Sequence, residues 1–190
     1  MPEYSLLLVS SSRPLNEQVL SLFSGSLRET AAIVSGINAA RRTLAERFYD
    51  LIIVNAPLPD GFGTRLASDT CMKSESAVLL MVPGEFYDEI REKTLSSGVM
   101  VLAKPVDTQT LEQNVYNLCA VRERLRMMEK KRISVEEKIA EIRLVNRAKW
   151  LMMERLGMKE ADAHRYIEKQ AMNQRVSRRK IAESILQTYK

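Results

Sequence analysis

The side chains of this 190-residue chain that could do chemistry fall into two groups, and the first lacks what catalysis needs. Polar residues follow short apolar segments at Ser10, Ser11, Asn55 and Lys104. The Asn55 amide is neither anionic nor a useful nucleophile. Two serine hydroxyls are poor metal ligands compared with carboxylates. With no P-loop, nucleophile–base pair or metal-ligand spacing elsewhere, we predict a protein that is not an enzyme and needs no cofactor or metal.

The second group is basic and concentrated near the C-terminus. Residues 1–110 carry a net charge of −3, residues 111–142 carry +1 and residues 143–190 carry +7. Such a region indicates an anionic partner, either nucleic acid or a membrane surface, or else a solvated helical face. The cations that could neutralise phosphates are Arg147, Lys149, Arg165, Lys169, Arg175, Arg178, Arg179 and Lys180. Tyr166 could stack on an unpaired base or pack half-buried between helices.

The first group would be positioned by five β-rich segments that alternate with helical patterns. The predicted strands are Ser5–Val9, Ala31–Ser35, Asp50–Val54, Ala77–Val82 and Val99–Ala103. Helical patterns lie near residues 14–24, 37–48, 62–72 and 86–97, and a last one begins near Thr108. Five βα units predict an α/β doubly wound fold, with a parallel sheet covered by helices on both faces. Polar residues at the carboxyl ends of its strands would converge.

Residues 50–61, which read DLIIVNAPLPDG, resemble the third strand and following loop of a bacterial response-regulator receiver domain. Lys104-Pro105 resembles that family's lysine and adjoining proline, and the resemblance covers nearly all of residues 3–125. It implies a receiver domain over residues 1–110 with a phospho-acceptor pocket. The pocket positions in this chain are Ser10, Ser11, Asn55, Val82 and Lys104, and Val101 aligns with the switch aromatic.

This pocket departs from the family pattern at its reactive positions. Asn55 stands where the family has the phosphate-accepting aspartate, and Ser10 and Ser11 replace the two acidic residues that hold Mg²⁺. We therefore predict a pseudo-receiver without phosphorylation chemistry. Lys104 either contacts an anion in the vacated pocket or hydrogen-bonds Asn55 and local carbonyls. Asp60, five residues further along, is interpreted as a turn or cap residue.

From Leu111 onward, apolar residues recur alternately every three and four positions over about four heptads, which is typical of a coiled coil. We predict that residues 111–133 are the last receiver helix, extended as a coiled-coil linker. This linker would pair with that of a second copy in a parallel homodimer. For residues 111–121, packing on the chain's own sheet is an alternative. Arg132 weakens the seam, and Ser134 with Glu137 could start a new helix, so both a continuous and a broken helix are open. The predicted seam residues are Leu118, Val121, Leu125, Met128, Val135 and Ile139.

Three helices fit the remainder: about 134–156, about 160–173, and one after the predicted N-cap Ser177. The stretch from Arg143 to Leu186 resembles the ANTAR domain, the RNA-binding output module of bacterial transcription antiterminators. Trp150 departs from the small residue common there. The matching positions include Ala148-Lys149, Leu151-Met152, Gly157-Met158, Gln170-Ala171-Met172 and Ile181-Ala182.

The resemblance implies an all-α three-helix ANTAR domain over residues 134–190. It also implies a regulator that binds tandem hairpin loops in nascent leader RNA as a dimer. A DNA-binding response regulator is one alternative, because a basic three-helix module can imitate a helix-turn-helix. A protein-interaction module, with a sensor or regulatory protein docked on the receiver, is another.

Composition places the protein among cytoplasmic ones. The apolar runs are far shorter than a membrane span, and the N-terminal residues do not read as a signal peptide, so we expect no membrane partner. Cys71 and Cys119 are expected to be free thiols. His164, the only histidine, is expected at the surface and not on a metal.

Overall fold

The computed structural model describes residues 4–23 and 31–189. Its first part is a parallel sheet in which five strands lie in the order β2-β1-β3-β4-β5. This confirms the doubly wound fold predicted from the sequence, and the strand ends differ from the prediction by one residue at most. The strands are β1 (Leu6–Val9), β2 (Ala32–Val34), β3 (Leu51–Asn55), β4 (Ala77–Pro83) and β5 (Met100–Lys104).

The described residues between the strands form four helices: α1 (Arg13–Ser21), α2 (Ile37–Glu46), α3 (Thr64–Lys73) and α4 (Tyr87–Thr94). Short 3-10 turns flank α4 at Gly84–Phe86 and Leu95–Ser97. Each helix lies within three residues of its predicted bounds. Residue 24, the predicted end of the first helix, lies outside the described residues.

The strands are buried on both faces because successive side chains point to opposite sides of a sheet. On one face, Val9, Val54 and Val82 pack with residues of α2, α3 and α4, including Ala40 and Leu66. On the other face, the alternate strand residues pack against Val19 of α1 and a long helix that follows β5. The sheet thus forms the middle layer of three.

That long helix, α5, runs from Thr108 to Leu156 with no break at Arg132 or Ser134. Its first turns bury Leu111, Val115 and Leu118 in the core beneath the sheet. Placing Leu118 in the dimer seam was therefore wrong, since the side chain is fully buried within its own chain. The same packing explains why the first compact unit extends to Met128, beyond the predicted boundary at residue 110.

The second compact unit begins at Glu129 and contains the rest of α5, α6 (Glu160–Gln174) and α7 (Arg178–Thr188). After α5 ends, Gly157 takes a left-handed backbone with φ of 63°, a conformation that favours glycine. Ser177 caps α7, its side chain accepting a hydrogen bond from the backbone N–H of Lys180. The core of the unit consists of Val145, Ala148, Met152, Ala163, Ile167, Ala171, Ile181, Ala182 and Ile185.

Among the residues that the structure describes, none of the helices combines the length and the apolar character needed to cross a membrane.

Candidate nucleic-acid interface

The predicted pocket forms at the carboxyl ends of β1, β3 and β5, and its polar groups bond to one another. Asn55 Nδ2 donates to Ser10 Oγ over 3.2 Å. Lys104 Nζ donates to Asn55 Oδ1 over 2.7 Å and also to the backbone carbonyl of Ala56. Lys104 therefore makes the hydrogen bonds to Asn55 and to a local carbonyl that one of the two alternatives predicted. Ser11 is exposed and Val82 is buried in the core.

The pocket does not fit the Mg²⁺ that a working receiver holds. Ser10 Oγ accepts hydrogen bonds from Asn55 and from the backbone N–H of Ser12, which lies 3.1 Å away. Lys104 brings an ammonium group to the pocket, and burial lowers the pKa of this group below its ordinary value. Among residues 4–23 and 31–189, no three His, Cys, Asp or Glu side chains cluster as a metal site would require. A cation here would meet the Lys104 ammonium and hydroxyl and amide groups that already bond to one another.

Asp60, the carboxylate of the β3–α3 loop, caps the N-terminus of α2. Its oxygens accept hydrogen bonds from the backbone N–H groups of Ile37 at 2.7 Å and Asn38 at 3.0 Å. These bonds hold the pKa of Asp60 below its ordinary value. Gly36 allows this close approach, because a β-carbon there would lie 2.8 Å from Asp60 Oδ1. Asp60 therefore acts as the cap that the sequence suggested and is committed away from the pocket.

A second polar network, which the sequence analysis missed, ties α5 to the opposite end of the sheet. Asp50 Oδ1 accepts hydrogen bonds from Arg122 Nε at 2.8 Å and Arg126 Nη2 at 3.0 Å. Asp50 Oδ2 accepts from the N–H and the hydroxyl of Ser5. Burial raises the pKa of Asp50, but the bonds from Ser5 and Arg122 outweigh it and leave the pKa below its ordinary value. This network fixes the part of α5 that leaves the sheet.

From the level of that network onward, α5 carries an unpartnered apolar stripe. Val121, Met128, Val135 and Ile139 are exposed, while Leu125 is half-buried. These residues follow heptad spacing from Val121 or Leu125, and none lies in a core described above. The stripe is available to a second helix.

Five of the cations predicted to contact phosphate are exposed in the second unit and form no ion pair with any carboxylate of the described residues. On α6, Arg165 and Lys169 lie opposite the buried Ala163 and Ile167. At Arg175 the backbone is left-handed with φ of 54°, and α6 ends there. Tyr166 is exposed beside this face. These five predicted contacts are Arg147, Arg165, Lys169, Arg175 and Lys180.

Other predicted contacts are held within the unit. Lys149, with a side chain only 13% exposed, donates to Glu160 Oε1 over 2.8 Å. Arg178 pairs with Glu141 and Glu168, and Arg179 pairs with Glu183. His164 is exposed, with Nε2 lying 3.3 Å from Glu168 Oε1. Of the predicted contacts, Lys149 is the least accessible to an external phosphate.

The helices and exposed cations of the second unit lie in a stretch of sequence that matches a known domain family. The family model of the ANTAR domain matches residues 127–186. These residues form an ANTAR domain. The match starts seven residues before the predicted boundary at residue 134, on the part of α5 that carries the apolar stripe.

The chain is also similar to two proteins that are named as regulators. The chain is 24% identical over 139 residues to the transcriptional regulatory protein PdtaR of Mycobacterium tuberculosis, covering 73% of this chain and 68% of that protein. It is 30% identical over 86 residues to the aliphatic amidase regulator of Pseudomonas aeruginosa, covering 45% of this chain and 44% of that protein.

The unit before the ANTAR domain has the fold of receiver domains. It is similar to the signal receiver domain of an HD domain-containing protein from Pseudomonas fluorescens, with a TM-score of 0.56 and 23% identity. The alignment covers 68% of this chain and 94% of that one. This confirms the predicted receiver fold.

Proposed function

We propose that this protein is a non-enzymatic, RNA-binding regulator of transcription antitermination. The observation that carries the proposal is the ANTAR domain at residues 127–186, with exposed cations on it that no described carboxylate neutralises. Free cations bind phosphates without first giving up an internal partner. Both curated relatives are named as regulators, which supports the same conclusion.

The RNA element that suits this surface is a hairpin loop. The deep, narrow major groove of an A-form stem is closed to side chains, whereas loop bases are unpaired and can be contacted. Arg165 and Lys169 provide positive charge on the outer face of α6, and Tyr166 adds an exposed ring beside them. We propose phosphate contacts for Arg147, Arg165, Lys169 and Arg175. Lys149, Arg178 and Arg179 would contact phosphates only after releasing the carboxylates that they now pair with.

The protein acts as a homodimer on two hairpins in tandem. The exposed stripe of Val121, Met128, Val135 and Ile139 gives a second copy an apolar seam to cover. Each ANTAR domain of the dimer would then grip one hairpin of the leader RNA. This arrangement would hold the transcript in its antiterminated conformation.

The receiver unit serves as a binding surface for a sensor or regulatory protein, without a phosphorylation switch. Its pocket is closed by hydrogen bonds among Ser10, Asn55 and Lys104 and contains no phospho-acceptor. Signals that change RNA binding must therefore arrive by another route than phosphate.

Removing two free cations tests the RNA surface directly. Arg165→Ala with Lys169→Ala should weaken binding to a synthetic two-hairpin RNA. It should also reduce the slope of log affinity against log salt by roughly 0.7–0.9 for each phosphate that the variant no longer neutralises. Arg42→Ala, which removes an exposed arginine of α2, is the matched control and should leave both quantities unchanged. An unchanged affinity and slope in the double variant would contradict the assignment of these residues.

A further inference from the structure

The outer face of α5 in the ANTAR domain presents a large aromatic side chain among cations. Trp150 is 71% exposed. It lies two positions from both Ala148 and Met152, which are buried, so the helical repeat puts it on the opposite side of α5. Arg147, one turn before it, is exposed on the same side. Single exposed apolar residues are common, so the surroundings of Trp150 decide what it can do.

Trp150 is shared by two surface grooves. The larger has a volume of about 460 Å³ and the smaller one of about 250 Å³. The larger groove runs between α5 and α7, where Leu186 and Tyr189 supply its apolar wall opposite the indole. An indole that borders two open grooves leaves ring surface available to a planar ligand.

The charges around the larger groove suit a nucleotide. Arg147 and Arg155 are exposed and form no ion pair within the described part of the chain. The carboxylate of Glu183 is 3.0 Å from Arg179, which neutralises it. Glu154 is the remaining acidic group, and a carboxylate can accept a hydrogen bond from an exocyclic amino group of a base. The groove thus combines two guanidinium groups for phosphates, a ring for stacking and an acceptor for a base edge.

A second copy of the chain is the competing occupant, and the residues beside Trp150 argue against it. Continuing the predicted heptads of α5 brings the seam to Asn146 and Lys149, which are polar. Lys149 is also bonded within its own chain to Glu160. The apolar seam has therefore ended before Trp150, whereas the free cations next to the indole favour an anionic partner.

We propose that Trp150 is a stacking platform for an unpaired nucleobase of the bound RNA, and that Arg147 and Arg155 contact the phosphates on either side of that base. This rests on the proposed function, and it adds a base contact where the ANTAR resemblance supplies only a small residue. Stacking on one aromatic ring is sequence-tolerant, so the platform strengthens loop binding without selecting a particular base.

Because Trp150 is the only tryptophan of the chain, its fluorescence reports this contact without a label. Titrating the full-length protein with a synthetic two-hairpin RNA should quench the emission. An RNA with abasic loop positions should bind more weakly and quench less. Trp150→Ala should reduce the affinity for the intact RNA by roughly 5- to 150-fold, the range measured for stacked bases. Trp150→Phe should retain most of it, and Tyr116→Ala, which removes an equally exposed ring of the receiver unit, should match the wild type.

The outcomes separate this inference from the proposed function. RNA binding with unchanged fluorescence, together with a Trp150→Ala variant that binds as the wild type does, overturns the inference and leaves the proposed function intact. A Trp150→Ala variant that loses self-association while its RNA affinity is unchanged assigns the indole to a protein interface and likewise overturns it. A wild type that binds no hairpin RNA overturns both.

Discussion

At the scale of single residues, the receiver pocket is held by neutral and cationic groups that satisfy each other. Asn55 donates to Ser10 and accepts from Lys104, so its amide uses both of its polar atoms within the pocket. A phospho-acceptor needs a nucleophilic carboxylate and a metal beside it. We infer that an amide and two hydroxyls at those positions remove this chemistry; Ser10, Asn55 and Lys104 form a hydrogen-bonded cluster there.

Acetyl phosphate with Mg²⁺ should therefore leave the mass of the purified protein unchanged. Mass spectrometry of the intact chain measures this, and a receiver domain with an intact acidic pocket, treated in parallel, should gain a phosphoryl group. A stable phosphoryl adduct within residues 1–125 would show that the pocket retains phosphorylation chemistry.

The buried pair of Asp50 with Arg122 makes a second prediction at this scale. Asp50→Asn should lower the free energy of unfolding by about 3 kcal/mol, because Arg122 would stay buried without its charged partner. Urea denaturation measures the change, and Asp88→Asn at the surface should change stability by about 0.5 kcal/mol at most.

The same pair sets a pH dependence with a definite sign. The folded-state pKa of Asp50 lies below the ordinary value of 3.8, so its stabilisation is complete above that pH and is lost as the pH falls through the folded pKa. The difference between wild type and Asp50→Asn should shrink over that acidic range. A difference that is constant from neutral pH down to acid would show that the Asp50 charge contributes nothing.

At the scale of elements, α5 shows what periodicity can and cannot predict. The apolar spacing predicts a long helix with a stripe along it, and the structure has that helix from Thr108 to Leu156. The spacing does not separate Leu118, which packs under the sheet, from Val121, which is exposed, because both continue the same heptads. Asp50 likewise reads only as the start of a strand, since its arginine partners lie 72 and 76 residues away. Contacts over such separations leave no local signal in one sequence.

Adding charge to the stripe should separate the proposed dimer into monomers. Val135→Lys with Ile139→Lys puts two ammonium groups into the seam, and sedimentation should then show a monomer where the wild type is dimeric at micromolar concentration. Ala140→Lys, on the outer side of the same turn, is the matched control and should remain dimeric. A monomeric wild type, or a double variant that still dimerises, would show that this stripe is not a dimer interface.

At the scale of the whole molecule, charge and chemistry divide along the chain. The receiver unit belongs to a net-negative stretch, and the ANTAR domain lies in a net-positive one. The strands, the three C-terminal helices and the basic surface were predictable because strand length, helical spacing and charge density are local properties. The engagement of Lys149 by Glu160 was not, because a salt bridge between α5 and α6 depends on how the helices pack.

The central claim is that the ANTAR domain of this protein binds looped RNA. A competition shift assay tests it most directly, with the full-length protein bound to a labelled two-hairpin RNA at fixed salt and challenged with unlabelled competitors. Unlabelled two-hairpin RNA should displace the complex, while duplex DNA of equal charge should not. If the protein does not bind the hairpins and instead binds duplex DNA tightly, the result would contradict the account and favour a DNA-binding regulator.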